Sequence, residues 1–89
     1  MNMQSKPTRN QSAIWRELDG ETAIISSDAG KLHMLNEVAG RIWTLLDGEK
    51  DLQTIVNKVA EEFDEDCDIV TRDALEFLTG MHSLDLVRD

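Results

Sequence analysis

The alternation of apolar and polar residues divides the chain into short strands followed by helices. Ala13 to Leu18 alternates in polarity, Thr22 to Ser26 is β-branched and apolar, and Lys31 to Leu35 is a third short segment. Asp19-Gly20 and Ser27-Asp28-Ala29-Gly30 separate these segments, and both consist of residue types that favour tight turns. The pattern therefore predicts an antiparallel meander of three strands.

After the strands, the apolar residues take the spacing of amphipathic helices. The first helix is predicted from about Glu37 to Asp47, with Asn36 as its N-cap and Gly48 as its stop. A second helix begins near Asp51 and a third near Asp68, each with that aspartate as its cap. Their predicted buried faces hold Val38, Ile42, Leu45 and Leu46, then Leu52, Ile55, Val56, Val59 and Phe63, then Val70, Ala74, Phe77, Leu78 and Met81.

The order of these elements predicts one small α+β domain. We expect a winged-helix-like fold, in which a three-stranded antiparallel β-meander is followed by three α-helices, over residues 13–89. The closing segment Leu84 to Arg88 either forms a short strand or packs on the helices. Residues 1–12 are polar and contain Pro7, so we expect a disordered tail there.

Charge narrows the classes of partner. The formal net charge is −9, and residues 1–16 contain no acid, so all the acidic residues follow them. An acidic body repels phosphate backbones, and the outward residues of the third helix, Arg72, Asp73, Glu76 and Thr79, include one cation. We therefore expect no nucleic-acid partner. No segment has the apolar length of a signal peptide or a membrane span, so we expect a cytoplasmic protein without a membrane partner.

The residues that carry catalytic or metal chemistry are scattered. His33, Cys67 and His82 lack any metal-ligand spacing. The run Asp64 to Asp68 resembles the start of a calcium loop, but Ile69 and Leu75 replace the required glycine and glutamate. Cys67 stands among acidic residues, unlike the electropositive surroundings of reactive cysteines. We expect no enzyme, no catalytic residue, no metal and no cofactor.

An edge strand is the remaining candidate for a binding site. The third strand, with Lys31, Leu32, His33, Met34 and Leu35, would offer unpaired backbone groups to which an extended peptide can add. The third helix would form a wall beside it. Leu75 lies at the margin of that helix's buried face, where it either lines a shallow groove or completes the edge of the core.

One run of residues resembles a known family. The run Leu35-Asn36-Glu37-x-Ala39-x-x-Ile42-Trp43-x-Leu45-Leu46-Asp47-Gly48 is similar to the signature of PqqD-like proteins, the recognition elements for ribosomal precursor peptides. The resemblance covers about residues 13–88. It extends to Ile55, Val59 and Phe63 in the second helix, Asp73 and Leu75-Glu76-Phe77-Leu78 in the third, and the closing Leu86-Val87.

The resemblance implies a non-catalytic module that binds the leader of a precursor peptide by strand addition. Such a module presents the leader to a modifying enzyme, such as a radical SAM enzyme or a leader peptidase. The resemblance places the groove at Lys31 to Leu35 and at Arg72, Leu75, Glu76 and Thr79. We further expect the acidic face either to attract a basic leader or to dock on the enzyme.

Two departures from the resemblance bear on the pathway. Ser27-Asp28-Ala29-Gly30 stands where members that serve quinone formation carry a proline-containing segment, and Asp85 replaces a glycine before the closing Leu86-Val87. These departures favour the broader family over quinone biosynthesis. The alternative is a winged-helix protein–protein adaptor or DNA-binding regulator unrelated to peptide maturation.

Overall fold

A computed structural model describes residues 2–25 and 30–88. It confirms the α+β class and the meander followed by three helices. The strands are β1 (Thr8–Arg9), β2 (Ile14–Leu18), β3 (Glu21–Ile25), β4 (Leu32–Leu35) and β5 (Val87–Arg88). The helices are α1 (Glu37–Thr44), α2 (Leu52–Glu62) and α3 (Cys67–Ser83). The end of the second predicted strand at Ser26, and Ser27, Asp28 and Ala29 of the predicted turn, lie outside the described residues.

The three-stranded sheet has the order β2-β3-β4, and both pairings are antiparallel. Asp19 and Gly20 connect β2 to β3 with φ angles of 51° and 82°. Two positive φ values define the type I′ turn, whose twist matches that of the flanking strands. This two-residue turn fixes the register of the sheet, with Leu18 opposite Glu21.

The helices cover one face of this sheet and form the core with it. Trp43 is fully buried, and its ring meets that of Trp15 from β2 edge to face, with centroids 6.2 Å apart. The buried core confirms most of the predicted helix faces; Phe63, Phe77 and Val38 are half-buried at its margin. Of the described helices, none is long and apolar enough to span a bilayer.

Side chains cap all three helices at their N-termini. Asn36 accepts a hydrogen bond from the Ala39 N–H at 2.9 Å, and Asp51 accepts one from the Thr54 N–H at 2.8 Å, which confirms both predicted caps. The cap of α3 is Asp66 rather than Asp68. Asp66 is extended at ψ 130° and accepts from the Asp68 N–H at 2.8 Å, so Asp68 lies inside the first turn.

The N-terminal segment differs from the disordered tail expected for residues 1–12. β1 pairs with β5 in a second, two-stranded sheet, and Pro7 is fully buried. The Arg9 guanidinium donates to the carbonyls of Trp43 and Thr44, both at 2.9 Å, and lies 5.3 Å from the centre of the Trp15 ring. Backbone pairing and one arginine at a helix C-terminus anchor this segment. Neither contact needs a periodic pattern of apolar residues, so the sequence pattern does not predict them.

Candidate functional site

β4 is an edge strand of the sheet. It pairs with β3 on one side, and the described residues provide no strand on its other side. Its chain continues through Asn36 directly into α1. The unpaired edge predicted from the sequence is therefore present in the described part of the fold.

The turn between β2 and β3 determines which groups β3 directs toward β4. Residues that flank a two-residue turn bond to each other, so the N–H and C=O of Glu21 point toward β2. The direction of these groups alternates along an antiparallel strand. Thr22 and Ile24 consequently direct theirs toward β4.

The same alternation identifies the free groups of β4. Leu35 is opposite Thr22 and His33 is opposite Ile24, so the backbone groups of Leu35 and His33 point toward β3. Those of Leu32 and Met34 point away from the sheet. A chain added to this edge would therefore pair with Leu32 and Met34.

The side chains of β4 divide between the two faces of the sheet. Leu32 and Met34 are exposed at 61% and 51%, while Leu35 is buried in the core. His33 is half-buried, and its Nε2 atom is buried without a hydrogen-bond partner among the described residues. Lys31 precedes the strand and is exposed. The predicted segment also includes Lys31, His33 and Leu35. Lys31 lies before β4, and the backbone groups of His33 and Leu35 point toward β3, so these three residues do not form the outward edge.

A cleft of about 450 Å³ lies between α3 and the start of α1, where β4 ends. Asn36, the residue that follows β4, is part of its lining. Apolar side chains form much of the wall, namely Val38, Ala39, Ile42, Ile69, Val70 and Phe77. Three carboxylates, Glu65, Asp73 and Glu76, also line it. The cleft thus combines an apolar wall with negative charge at one end of the free edge.

The residues predicted on α3 do not all face this cleft. Glu76 lines it. Leu75 is half-buried against the core, and it lies about 160° around the helix from Asp73, on the opposite flank. Arg72 and Thr79 are exposed, and the Thr79 hydroxyl donates to the Leu75 carbonyl at 2.8 Å. The structure brings Glu76 toward the β4 end and places Leu75 away from it.

The cleft also contains three residues that the sequence did not predict as site residues, Ile69, Asp73 and Phe77. Ile69 is apolar and 41% exposed, and Phe77 is half-buried although the pattern predicted it in the core. Their spacing along α3 places them on one flank of the buried stripe. A helical wheel shows two such flanks, but it does not tell which one borders the cleft with α1.

The outer face of the sheet, which the helices leave uncovered, is apolar around Ile14, Ile25, Leu32 and Met34. Ile14, Ile25 and Leu32 lie opposite one another across the three strands, as do Arg16, Ala23 and Met34 in the neighbouring row. Ile14, Ile25, Leu32 and Met34 are all exposed. Side chains of a strand added beside β4 would alternate between this outer face and the side of the sheet on which α1 packs.

Among the described residues, no group of three or more His, Cys, Asp or Glu side chains is arranged to hold a metal ion. Of the ion pairs between residues that the structure describes, one lies at the cleft, a 3.6 Å contact between Arg72 and Asp73, both exposed. The arrangement offers outward backbone donors and acceptors beside an apolar, acidic cleft. These features suit an extended polypeptide as the ligand.

Comparison with known proteins places the chain in a family. The family model described as coenzyme PQQ synthesis protein D (PqqD) matches residues 21–87. The solved structure of TbiB1 in complex with the TbiA(beta) leader peptide is 26% identical with a TM-score of 0.79, and the match covers 91% of this chain and 94% of that one.

A second solved structure has the same fold. It is the solution structure of the PqqD truncation of Methylobacterium extorquens PqqCD, described as a functional, stand-alone recognition element for ribosomally synthesised and post-translationally modified peptides. It is 18% identical with a TM-score of 0.76, over 93% of this chain and 88% of that one. No curated protein sequence matches significantly. With its family model matched over most of its length, this chain belongs to the PqqD family.

Proposed function

We propose that this chain captures the leader of a ribosomally made precursor peptide as an added strand on β4. The single observation that carries the proposal is the unpaired edge at Leu32 and Met34, with the cleft beside α3 at its end. Membership of the PqqD family supports it, as does the similarity to TbiB1, which was solved with a leader peptide.

The module acts by binding and presentation, not by catalysis. Backbone pairing with β4 supplies affinity that depends little on sequence, and contacts with alternate side chains supply selectivity. A free leader is disordered, so ordering it on β4 opposes binding and keeps the affinity moderate. The bound leader is then presented in the cytoplasm to a modifying enzyme, such as a radical SAM enzyme or a leader peptidase.

The predicted residues take different parts in this proposal. Leu32 and Met34 contact the leader through their backbone, and Glu76 contacts it from α3. His33 and Leu35 hold β4 against β3. The contacts predicted for Lys31, Arg72, Leu75 and Thr79 stay predictions, and of these Leu75 lies on the flank of α3 opposite Asp73.

A proline substitution tests the edge directly. Peptides that bind the wild-type protein are selected from a displayed library of random 12-residue sequences, labelled, and titrated by fluorescence anisotropy. Met34→Pro removes an outward N–H and should abolish binding, while circular dichroism stays unchanged because proline is tolerated on edge strands. The matched control is Glu17→Pro on β2, which by the same alternation removes an outward N–H at the opposite edge and should bind normally.

Hydrogen exchange provides a test that needs no substitution. In the free protein, the amides of Leu32 and Met34 should exchange faster than those of His33 and Leu35, because only the latter two bond to β3. A selected peptide should then slow exchange at Leu32 and Met34. Binding that survives Met34→Pro, or leaves exchange at both amides unchanged, would refute strand addition.

A further inference from the structure

The acidic wall of the cleft indicates the chemistry of the peptide. Glu65, Asp73 and Glu76 all line it, and none of the other described residues in its lining is basic. Among the described residues, neither Glu65 nor Glu76 takes part in an ion pair, and Asp73 has only the exposed contact with Arg72. Negative charge is therefore concentrated at the end of the β4 edge, and among the described residues only the exposed contact of Arg72 with Asp73 offsets it.

The apolar part of the same wall limits what can neutralise this charge. Ile69 is 41% exposed, and Phe77, about two helical turns further along α3, is half-buried in the same cleft. A free metal ion would leave these apolar surfaces in water. A lysine or arginine side chain covers them with its aliphatic stem while its charged end reaches the carboxylates, and the Phe77 ring adds a face that attracts cations.

We infer that the peptide bound at β4 carries a lysine or arginine that enters this cleft. The stem of that residue packs on Phe77, and its cation lies between Asp73 and Glu76, which are three residues apart on α3. Glu65, which precedes α3, adds negative charge to the same cleft. This inference rests on the proposed function, because β4 delivers the peptide to the cleft through the end that Asn36 lines. The net charge of −9 acts in the same direction, since it attracts a cationic peptide over longer distances.

Selection followed by charge neutralisation tests the assignment. The probes are peptides selected from the random 12-residue library, together with copies in which each lysine or arginine is replaced by norleucine or glutamine. The test variant is Glu65→Gln, Asp73→Asn and Glu76→Gln combined. The matched control combines Glu49→Gln, Glu61→Gln and Asp85→Asn, which changes the net charge equally at exposed positions outside the cleft.

The selected peptides should share one cationic position at a fixed distance from the segment that pairs with β4. The triple cleft variant should weaken their binding about 5- to 30-fold, the range that a few partly exposed charge contacts provide. The control triple should weaken it much less. Norleucine at the cationic position should bind wild type and cleft variant nearly equally, because the interaction is then absent from both.

The remaining outcomes separate the inference from the proposed function. Peptides that need an intact Met34 edge but share no cationic position would refute the inference and leave strand addition standing. A cationic preference that persists unchanged in the cleft triple would also refute it. If no selected peptide depends on Met34, both the inference and the proposed function are wrong.

Discussion

Two glycines in helices provide a matched test of how α1 packs on the sheet. A Cβ atom added at Gly40 in α1 would lie 2.5 Å from the Thr22 hydroxyl oxygen and 3.2 Å from the Thr22 Cβ. Thr22 is buried in β3, and its β-branched side chain has few χ1 rotamers available. A Cβ added at Gly80 in α3 would meet no atom within 4 Å. Gly→Ala therefore adds the same methyl group to a tight contact in one helix and to open space in the other.

The two substitutions share one energy term and differ in another. Alanine favours a helix over glycine by about 1 kcal/mol, and this gain applies to both positions. Overpacking a tight contact costs about 1–3 kcal/mol, and this cost applies only at Gly40. We therefore expect Gly80→Ala to stabilise the protein by up to about 1 kcal/mol and to exceed Gly40→Ala by about 1–3 kcal/mol.

Thermal and urea unfolding measure this difference. A domain of this size shifts its Tm by about 4–8 °C per kcal/mol, so the two variants should differ by at least about 4 °C. Thr22→Ala removes the hydroxyl oxygen that the added methyl group would meet. In a double-mutant cycle, Gly40→Ala should therefore be less destabilising in the Thr22→Ala background than in wild type, whereas the effect of Gly80→Ala should be the same in both backgrounds. Equal Tm values for the two glycine variants would refute the close packing of α1 on β3 at Thr22.

Three further predictions concern anchoring, pH and nucleic acid. Arg9→Ala should lower the free energy of unfolding by about 1–3 kcal/mol, because it removes charged hydrogen bonds to the end of α1; exposed Arg16→Ala is the control, and equal effects would contradict the anchoring role. Hydrogen bonds from the side chain and backbone N–H of Thr54 lower the pKa of Asp51 from its ordinary 3.8. The ionised Asp51 carboxylate therefore stabilises the folded state fully above the ordinary pKa, and this contribution is lost as pH falls through the lowered pKa. Asp51→Asn keeps a cap acceptor but does not titrate, so the Tm of this variant should fall less steeply than that of wild type below about pH 4. Identical dependence of Tm on pH in the two proteins would show that Asp51 ionisation does not contribute to stability. The protein should not retard duplex DNA in a gel at physiological salt; a salt-sensitive shift would instead favour the DNA-binding alternative.

Local sequence patterns predicted the main elements because each has a local cause. A two-residue hairpin turn requires two positive φ angles, and Asp19-Gly20 is a pair that adopts them readily. Asn36 and Asp51 can each accept a backbone N–H of the following turn, which defines two helix starts. The third start was displaced because Asp66 and Asp68 have the same chemistry within one acidic run. Composition does not distinguish them, and only the extended backbone of Asp66 makes it the cap.

These local patterns do not predict contacts between segments that are far apart in the sequence. The docking of residues 2–12 depends on Arg9 meeting the carbonyls of Trp43 and Thr44, which lie more than thirty residues away. The cleft depends on which flank of α3 turns toward the end of β4. Helical periodicity measures the angle of a side chain relative to the buried stripe, but not what lies beside that stripe. The wheel therefore identified Leu75 as marginal, although the cleft lies on the flank of Asp73.

Backbone direction and side-chain direction both alternate along β4, and at Leu32 and Met34 they have separate consequences. The N–H and C=O of these residues form the free edge, while their side chains lie on the exposed outer face. Met34→Thr therefore changes the outer face and keeps every outward N–H, whereas Met34→Pro removes one of them. If backbone pairing provides most of the affinity, the threonine variant should bind selected peptides within a few-fold of wild type. Loss of binding in both variants would show instead that the Met34 side chain itself contacts the peptide.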